Sequence, residues 1–113
     1  MLVVIASCTG TLDRIIDEYE GKLSKAKNNA TYLHCLGLAY FRKANLEAKD
    51  DLEKGMFYGK AEEQYKRSIN SYPKNVVSHS DLGLLFLITG RIDKAIGTLN
   101  EALRIDPSYK YTY

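Results

Sequence analysis

Three residues carry the side chains that metal binding or nucleophilic catalysis would need: His34, Cys35 and His79. Successive residues of a helix point about 100° apart, so His34 and Cys35 do not easily reach one metal ion. The sequence contains no HExxH zinc motif, no GxSxG nucleophile elbow and no phosphate-binding loop. It therefore predicts no enzyme activity, no metal site and no cofactor. We expect His79 to be a packed or rim histidine and Cys35 a small buried or half-buried thiol.

The second cysteine, Cys8, ends the apolar stretch MLVVIASC. The residues IASC resemble the lipobox of bacterial lipoproteins, in which the cysteine becomes the lipidated first residue. A secretory signal also has a basic start and a longer apolar core, and neither is present here. Two interpretations stay open: a signal truncated or started at the wrong residue, with Cys8 as a lipidation site, or an apolar segment, Leu2 to Ala6, that packs on the first helix.

Composition narrows the class of protein. The chain has 113 residues, of which 45% are hydrophobic and 27% charged, with a formal net charge of +2. These values are typical of one globular domain. The basic residues are mixed with acidic ones along the whole length, so the basic stripe that nucleic-acid binding requires is absent. The sequence therefore predicts no nucleic-acid partner.

Apolar residues recur at helical spacing through most of the chain, which predicts an all-α fold. The first helix is expected within 11–28 and the second from Ala30 to about Ala48. The charged stretch KDDLEKG, ending at Gly55, is interpreted as a turn. A third helix is then expected from about Met56 to Tyr72, before Pro73. The last two helices are expected at Val76 to Thr89 and Ile92 to Ile105, joined by a turn at Gly90 and Arg91.

Two segments repeat one pattern of small, aromatic and proline residues. In residues 76–109 the pattern consists of Leu82, Gly83, Phe86, Gly90, Ala95, Leu99, Ala102 and Pro107. Residues 30–75 repeat it with Leu36, Gly37, Tyr40, Ala61, Tyr65, Ser68 and Pro73, but their second half comes 12 residues late. This pattern resembles the tetratricopeptide repeat (TPR) family closely.

The resemblance implies a right-handed superhelix, or α-solenoid, of antiparallel helix pairs. It would contain about two TPR units, 30–75 and 76–109, after an amino-terminal helix at 11–28. Residues 1–10 would form an apolar segment, and 110–113 would start a unit that is absent. The 12 extra residues of the first unit are expected to lengthen both of its helices by about a turn and a half each. Gly37 and Gly83 are expected to face Ala61 and Ala95 where the helices of each pair approach closely.

In such a superhelix, the first helix of each pair lines a concave groove. The resemblance places these side chains in it: Thr31, His34, Leu38, Phe41, Val77, Ser80, Asp81, Leu84 and Leu87. Five of them are expected to anchor an apolar helix or peptide, namely Leu38, Phe41, Val77, Leu84 and Leu87. His34, Ser80 and Asp81 would make polar contacts at its edge. The basic residues and asparagines with which some members of the family bind chaperone tails are missing, so that ligand is not implied.

The expected function is a protein-interaction module that acts as a scaffold or adaptor for a protein or peptide. An alternative occupant of the groove is this chain's own ends or a second copy. The last helix carries Ile92, Ile96, Leu99, Leu103 and Ile105 with no helix after it to cover them, which predicts a homo-oligomer. The alternative function is a bacterial envelope lipoprotein that uses the repeats as an assembly scaffold. Membrane attachment would then depend on Cys8, and the location would be the cell envelope instead of the cytoplasm.

Overall fold

The computed structural model describes residues 11–108, and within this range it contains five α-helices and no strands. The helices are α1 (Leu12–Lys25), α2 (Ala30–Leu46), α3 (Asp51–Ser71), α4 (Val76–Ile88) and α5 (Ile92–Ile105). Each helix packs on the next one in sequence, most extensively within the pairs α2/α3 and α4/α5. The all-α prediction is thus confirmed, and so is the expectation of five helices joined by short connections.

The turn predicted over KDDLEKG is wrong, because the stretch from Asp51 onwards belongs to α3. Asp50 is the N-cap: its carboxylate accepts a hydrogen bond of 2.8 Å from the backbone N–H of Glu53. The Glu53 carboxylate in turn accepts one of 3.0 Å from the N–H of Lys49. These bonds satisfy backbone donors that a helix start leaves free. The negative charges of Asp51 and Glu53 in the first turn also interact favourably with the positive end of the helix dipole.

The 12 extra residues of the first pair are shared unevenly. α2 has 17 residues against 13 in α4, whereas α3 has 21 against 14 in α5. The remaining extra residue lies in the connection, which spans 47–50 in the first pair and 89–91 in the second. The expected equal lengthening is therefore wrong, because α3 begins at the Asp50 cap and not after Gly55. The second connection contains Gly90 at a φ of 81°, a left-handed conformation that suits glycine.

The core runs through all five helices. α1 contributes Ile15, Ile16, Tyr19 and Leu23 from one face and leaves its charged side chains outside. Between α2 and α3, the rings of Tyr40 and Phe57 stack at 6.4 Å. Burying such rings is the largest favourable contribution to the stability of a small helical protein.

A buried pair of hydroxyls joins the two helix pairs. The oxygens of Ser68 in α3 and Ser78 in α4 lie 2.9 Å apart, and both side chains are fully buried. The Ser68 hydroxyl also donates a hydrogen bond of 2.8 Å to the carbonyl oxygen of Ala30. The side-chain amide of Asn75 donates to the Ser68 oxygen over 3.2 Å. Buried polar groups need hydrogen-bond partners, and these bonds are made only when the three helices keep this arrangement. The bonds therefore fix the relative positions of α2, α3 and α4 at this point.

Candidate functional site

Both glycines of the repeated pattern lie where two helices come close. A Cβ atom built on Gly37 would lie 2.8 Å from the ring of Tyr65 and 3.3 Å from the carbonyl oxygen of Ala61. One built on Gly83 would lie 2.6 Å from the side chain of Leu99. The expected close approach is confirmed at both positions. The nearest atoms are those of Tyr65 and Leu99, whereas Ala61 and Ala95 were expected to be the partners.

The apolar residues expected on α4 are at the surface. Val77, Leu84 and Leu87 are exposed, and so is Ile88, which the sequence interpretation left out. Helical spacing was the signal that would have found it, since Val77, Leu84 and Ile88 follow one another at intervals of seven and four residues. We name Val77, Leu84, Leu87 and Ile88 the α4 strip.

The residues expected on α2 are less accessible. Thr31 is exposed, whereas Leu38 and Phe41 are half-buried. Leu38 lines a cavity of about 30 Å³ against α1, together with Leu12 and Ile15. The ring of Phe41 lies 5.8 Å from that of Tyr58 in α3. Neither side chain stands free in a groove, because α1 and the long helix α3 cover this side of α2.

His34 and Asp81 form a contact between α2 and α4 that the sequence did not reveal. The Nε2 atom of His34 lies 2.5 Å from Oδ2 of Asp81, and the imidazole ring lies 5.7 Å from the ring of Tyr65. Burial disfavours the charged imidazole. The hydrogen bonds and charges of Asp81 and Cys35 outweigh this effect and raise the pKa of His34 to about 9. At neutral pH the pair is therefore ionic.

Cys35 is half-buried, as expected, and its thiol interacts with the neighbouring imidazolium of His34. The hydrogen bond with His34 lowers the pKa of the Cys35 thiol against the opposing effect of burial. A hydrogen bond with Tyr19 and the charges of His34 and Lys22 act in the same direction.

His79 is buried, and its Nε2 atom lies 2.9 Å from the carbonyl oxygen of Pro73. This is the packed histidine that the sequence predicted. Within residues 11–108, no three histidine, cysteine, aspartate or glutamate side chains are placed to hold a metal ion.

Ser80 does not make the expected contact at the groove edge. The side chain is 5% exposed, and its hydroxyl has no hydrogen-bond partner among residues 11–108. Its neighbour in sequence, Asp81, is the residue through which α4 meets α2. Ser80 is buried because α4 approaches α2 at this point.

The possible lipidation site, Cys8, lies outside the described residues, as do the segments 1–10 and 110–113. Of the helices between residues 11 and 108, none combines the length and apolar character needed to cross a bilayer. No protein-family model matches the chain, and no curated protein matches it.

Proposed function

We propose that this protein is a tetratricopeptide-type interaction module that binds an apolar helix or extended peptide along the α4 strip. One observation carries the proposal: Val77, Leu84 and Ile88 are 37%, 44% and 47% exposed on one face of a single helix. Leu84, Leu87 and Ile88 lie within about one turn of each other, and grouped apolar surface of this kind is typical of a binding site. The role that follows is that of a scaffold or adaptor, without chemistry of its own.

The repeated packing of the two helix pairs supports the family assignment. Gly37 and Gly83 occupy equivalent places, and their partners Tyr65 and Leu99 differ in sequence separation by the 12 inserted residues. Both pairs thus keep one close contact although the first is longer. We infer that the pairs are successive turns of a right-handed superhelix, with α2 and α4 on its inner side.

The dimensions of the α4 strip fit a helical ligand. Val77 and Ile88 are 11 residues apart, which corresponds to about 16 Å along a helix axis. A ligand helix of three turns would place apolar side chains at matching intervals. At its edge the ionic pair of His34 and Asp81 offers polar contacts, since these side chains remain 17% and 31% exposed.

The test is a binding titration with a fluorescein-labelled amphipathic peptide of 14 residues, built from leucine, glutamate and lysine in a heptad pattern. Leu84→Glu should weaken binding at least tenfold, because a carboxylate in the strip loses its hydration when the ligand docks. The matched control is Leu52→Glu, which makes the same change on an exposed leucine of α3. Equal losses in both variants, or none in Leu84→Glu, would contradict the proposal. Circular dichroism checks that both variants keep their helicity.

A second function, self-association, is favoured by a different surface. Ile92 and Ile96 are 47% and 54% exposed on α5. Sedimentation velocity over a hundredfold concentration range measures the oligomeric state. We expect a dimer that Ile96→Glu dissociates and that Leu84→Glu leaves intact. A monomer at every concentration rejects self-association without affecting the proposal for the α4 strip.

A further inference from the structure

A second groove lies on the side of α4 opposite to the α4 strip. α3 and α5 form its walls, and α4 forms its floor with Leu82 and Phe86. At 100° per residue, these floor residues lie roughly 160° around α4 from Val77, Leu84 and Ile88. The groove has a volume of about 460 Å³, within the usual range for ligand sites.

Three cations surround the ring of Phe86 at one end of this groove. The charged groups of Lys66, Arg91 and Lys94 lie 6.0, 4.7 and 5.9 Å from the ring centre. Lys66 belongs to α3 and Lys94 to α5, so two of them stand on opposite walls. Cations at these distances are attracted by the ring face.

One carboxylate, that of Glu62, pairs with two of these three cations. Glu62 lies 2.8 Å from the Lys66 amine and 2.7 Å from the Arg91 guanidinium. Burial raises the pKa of Glu62, but the hydrogen bonds and charges of Arg91 and Lys66 outweigh it and lower that pKa. Lys94 has no carboxylate within ion-pair distance in the described part of the chain. This end of the groove therefore carries an excess of positive charge.

The other end of the groove differs in charge. Glu101 lines it and pairs with Arg104 on the same helix. Between the two ends, Ile69 and Leu82 provide an apolar wall and floor. A ligand that matches this arrangement has a carboxylate at one end and an apolar side chain beside it.

We propose that this groove binds an acidic peptide segment, with a carboxylate held between Lys66 and Lys94 and an adjacent apolar side chain against Ile69 and Leu82. The groove is open along its length, which suits an extended chain. Complementary charge selects the acidic partner. The surface is separate from the α4 strip, so either proposal can fail without the other.

The experiment is a titration of ¹⁵N-labelled full-length protein with the blocked hexapeptide ELFDLE, followed by NMR. We expect saturable shift changes at the amides of 66–70, 79–86 and 94–101, which weaken as salt is added. The amide peptide QLFNLQ should bind at least fivefold more weakly. The double variant Lys66→Gln/Lys94→Gln should lose at least fivefold in affinity for ELFDLE.

Two controls separate the site from general charge attraction and from the α4 strip. Lys49→Gln/Lys60→Gln removes the same net charge from exposed residues elsewhere and should leave the affinity unchanged. Leu84→Glu should also leave it unchanged. Equal binding of ELFDLE and QLFNLQ, shifts confined to the α4 strip, or no saturable shift at millimolar peptide would each overturn the proposal.

Discussion

The two helix pairs place a glycine at the same point, yet they surround it differently. In the first pair, Gly37 lies against Tyr65, which is 1% exposed and contributes an aromatic ring to the interior. In the second pair, Gly83 lies against Leu99, which is only half-buried. The first pair is packed between α1 and α4, whereas among the described helices the second pair has neighbours on one side only, mainly α3, with α2 touching it through His34 and Asp81. One sequence pattern thus produces a fully buried contact in the first pair and a partly buried contact in the second.

The largest expected effect is on stability, when the residue that contacts each glycine is replaced by alanine. Tyr65→Ala should destabilise the protein by about 4 kcal/mol, because it removes a buried ring and leaves a cavity. Leu99→Ala should cost only about 2 kcal/mol, because this side chain is only partly buried in the folded protein. Urea unfolding followed by circular dichroism measures both values.

Tyr65→Phe is the control for this comparison, since it keeps the ring and should change the free energy of unfolding by less than about 1 kcal/mol. Equal losses for Tyr65→Ala and Leu99→Ala would show that the two pairs are packed alike.

The contact between the pairs is expected to depend on pH. The pKa of His34 is about 9 in the folded protein against 6.5 for an ordinary histidine. A raised folded pKa stabilises the fold fully below pH 6.5, and this contribution disappears as the pH rises through 9. We expect the free energy of unfolding to fall by roughly 2 kcal/mol between pH 6.5 and 9.5.

The pH series is also measured in a Cys35→Ser background, because the lowered pKa of Cys35 acts in the opposite direction in the same range. The fall should be smaller in that background, since Cys35 contributes to the raised pKa of His34 and only Asp81 then remains to raise it. Tyr40 does not interfere, since burial and Glu20 raise its pKa to about 12. Asp81→Asn should flatten the slope. An unchanged slope in that variant would show that the ionic pair is not the cause.

The smallest expected effect is the difference in stability between the Gly37→Ala and Gly83→Ala variants. Alanine favours a helix over glycine by about 1 kcal/mol, and Gly59→Ala should show this gain because nothing lies near its Cβ position. At Gly83 the closest atoms belong to the partly buried, flexible side chain of Leu99, so we expect the gain and the crowding nearly to cancel. At Gly37 the new methyl group meets a buried ring and a backbone oxygen, and a net loss of about 1 kcal/mol is expected. Equal thermal midpoints for Gly37→Ala and Gly83→Ala would contradict the difference between the two pairs.

Much of the fold follows from local sequence signals. The apolar spacing from Leu12 to Leu23 is enough to predict α1, and Pro73 and Gly90 mark the ends of α3 and α4. The start of α3 was also present in the sequence, because Asp50 and Glu53 have the spacing of a helix cap. The stretch KDDLEKG was nevertheless predicted to be a turn, because it is highly charged and ends in a glycine.

The candidate sites depended on packing that no local signal contains. His34 and Asp81 were both expected at a groove edge, but their ion pair joins residues 47 positions apart. Phe41 meets Tyr58 because the extension of the first pair makes α3 long enough to reach it. The three cations around Phe86 likewise come from separate segments, namely α3, the connection between α4 and α5, and α5 itself. Such contacts depend on how the helices are arranged in space.

The packing of each helix on the next one has a consequence for the rate of folding. The connections contain three or four residues, so the contacts between successive helices join segments that are near in the chain. Closing such short loops costs little entropy, and proteins with mostly local contacts fold within microseconds to milliseconds. The 12 inserted residues fall almost entirely within α2 and α3, where they add helical turns without lengthening any loop by more than one residue. The longer first pair therefore keeps the short loop closures that allow rapid folding.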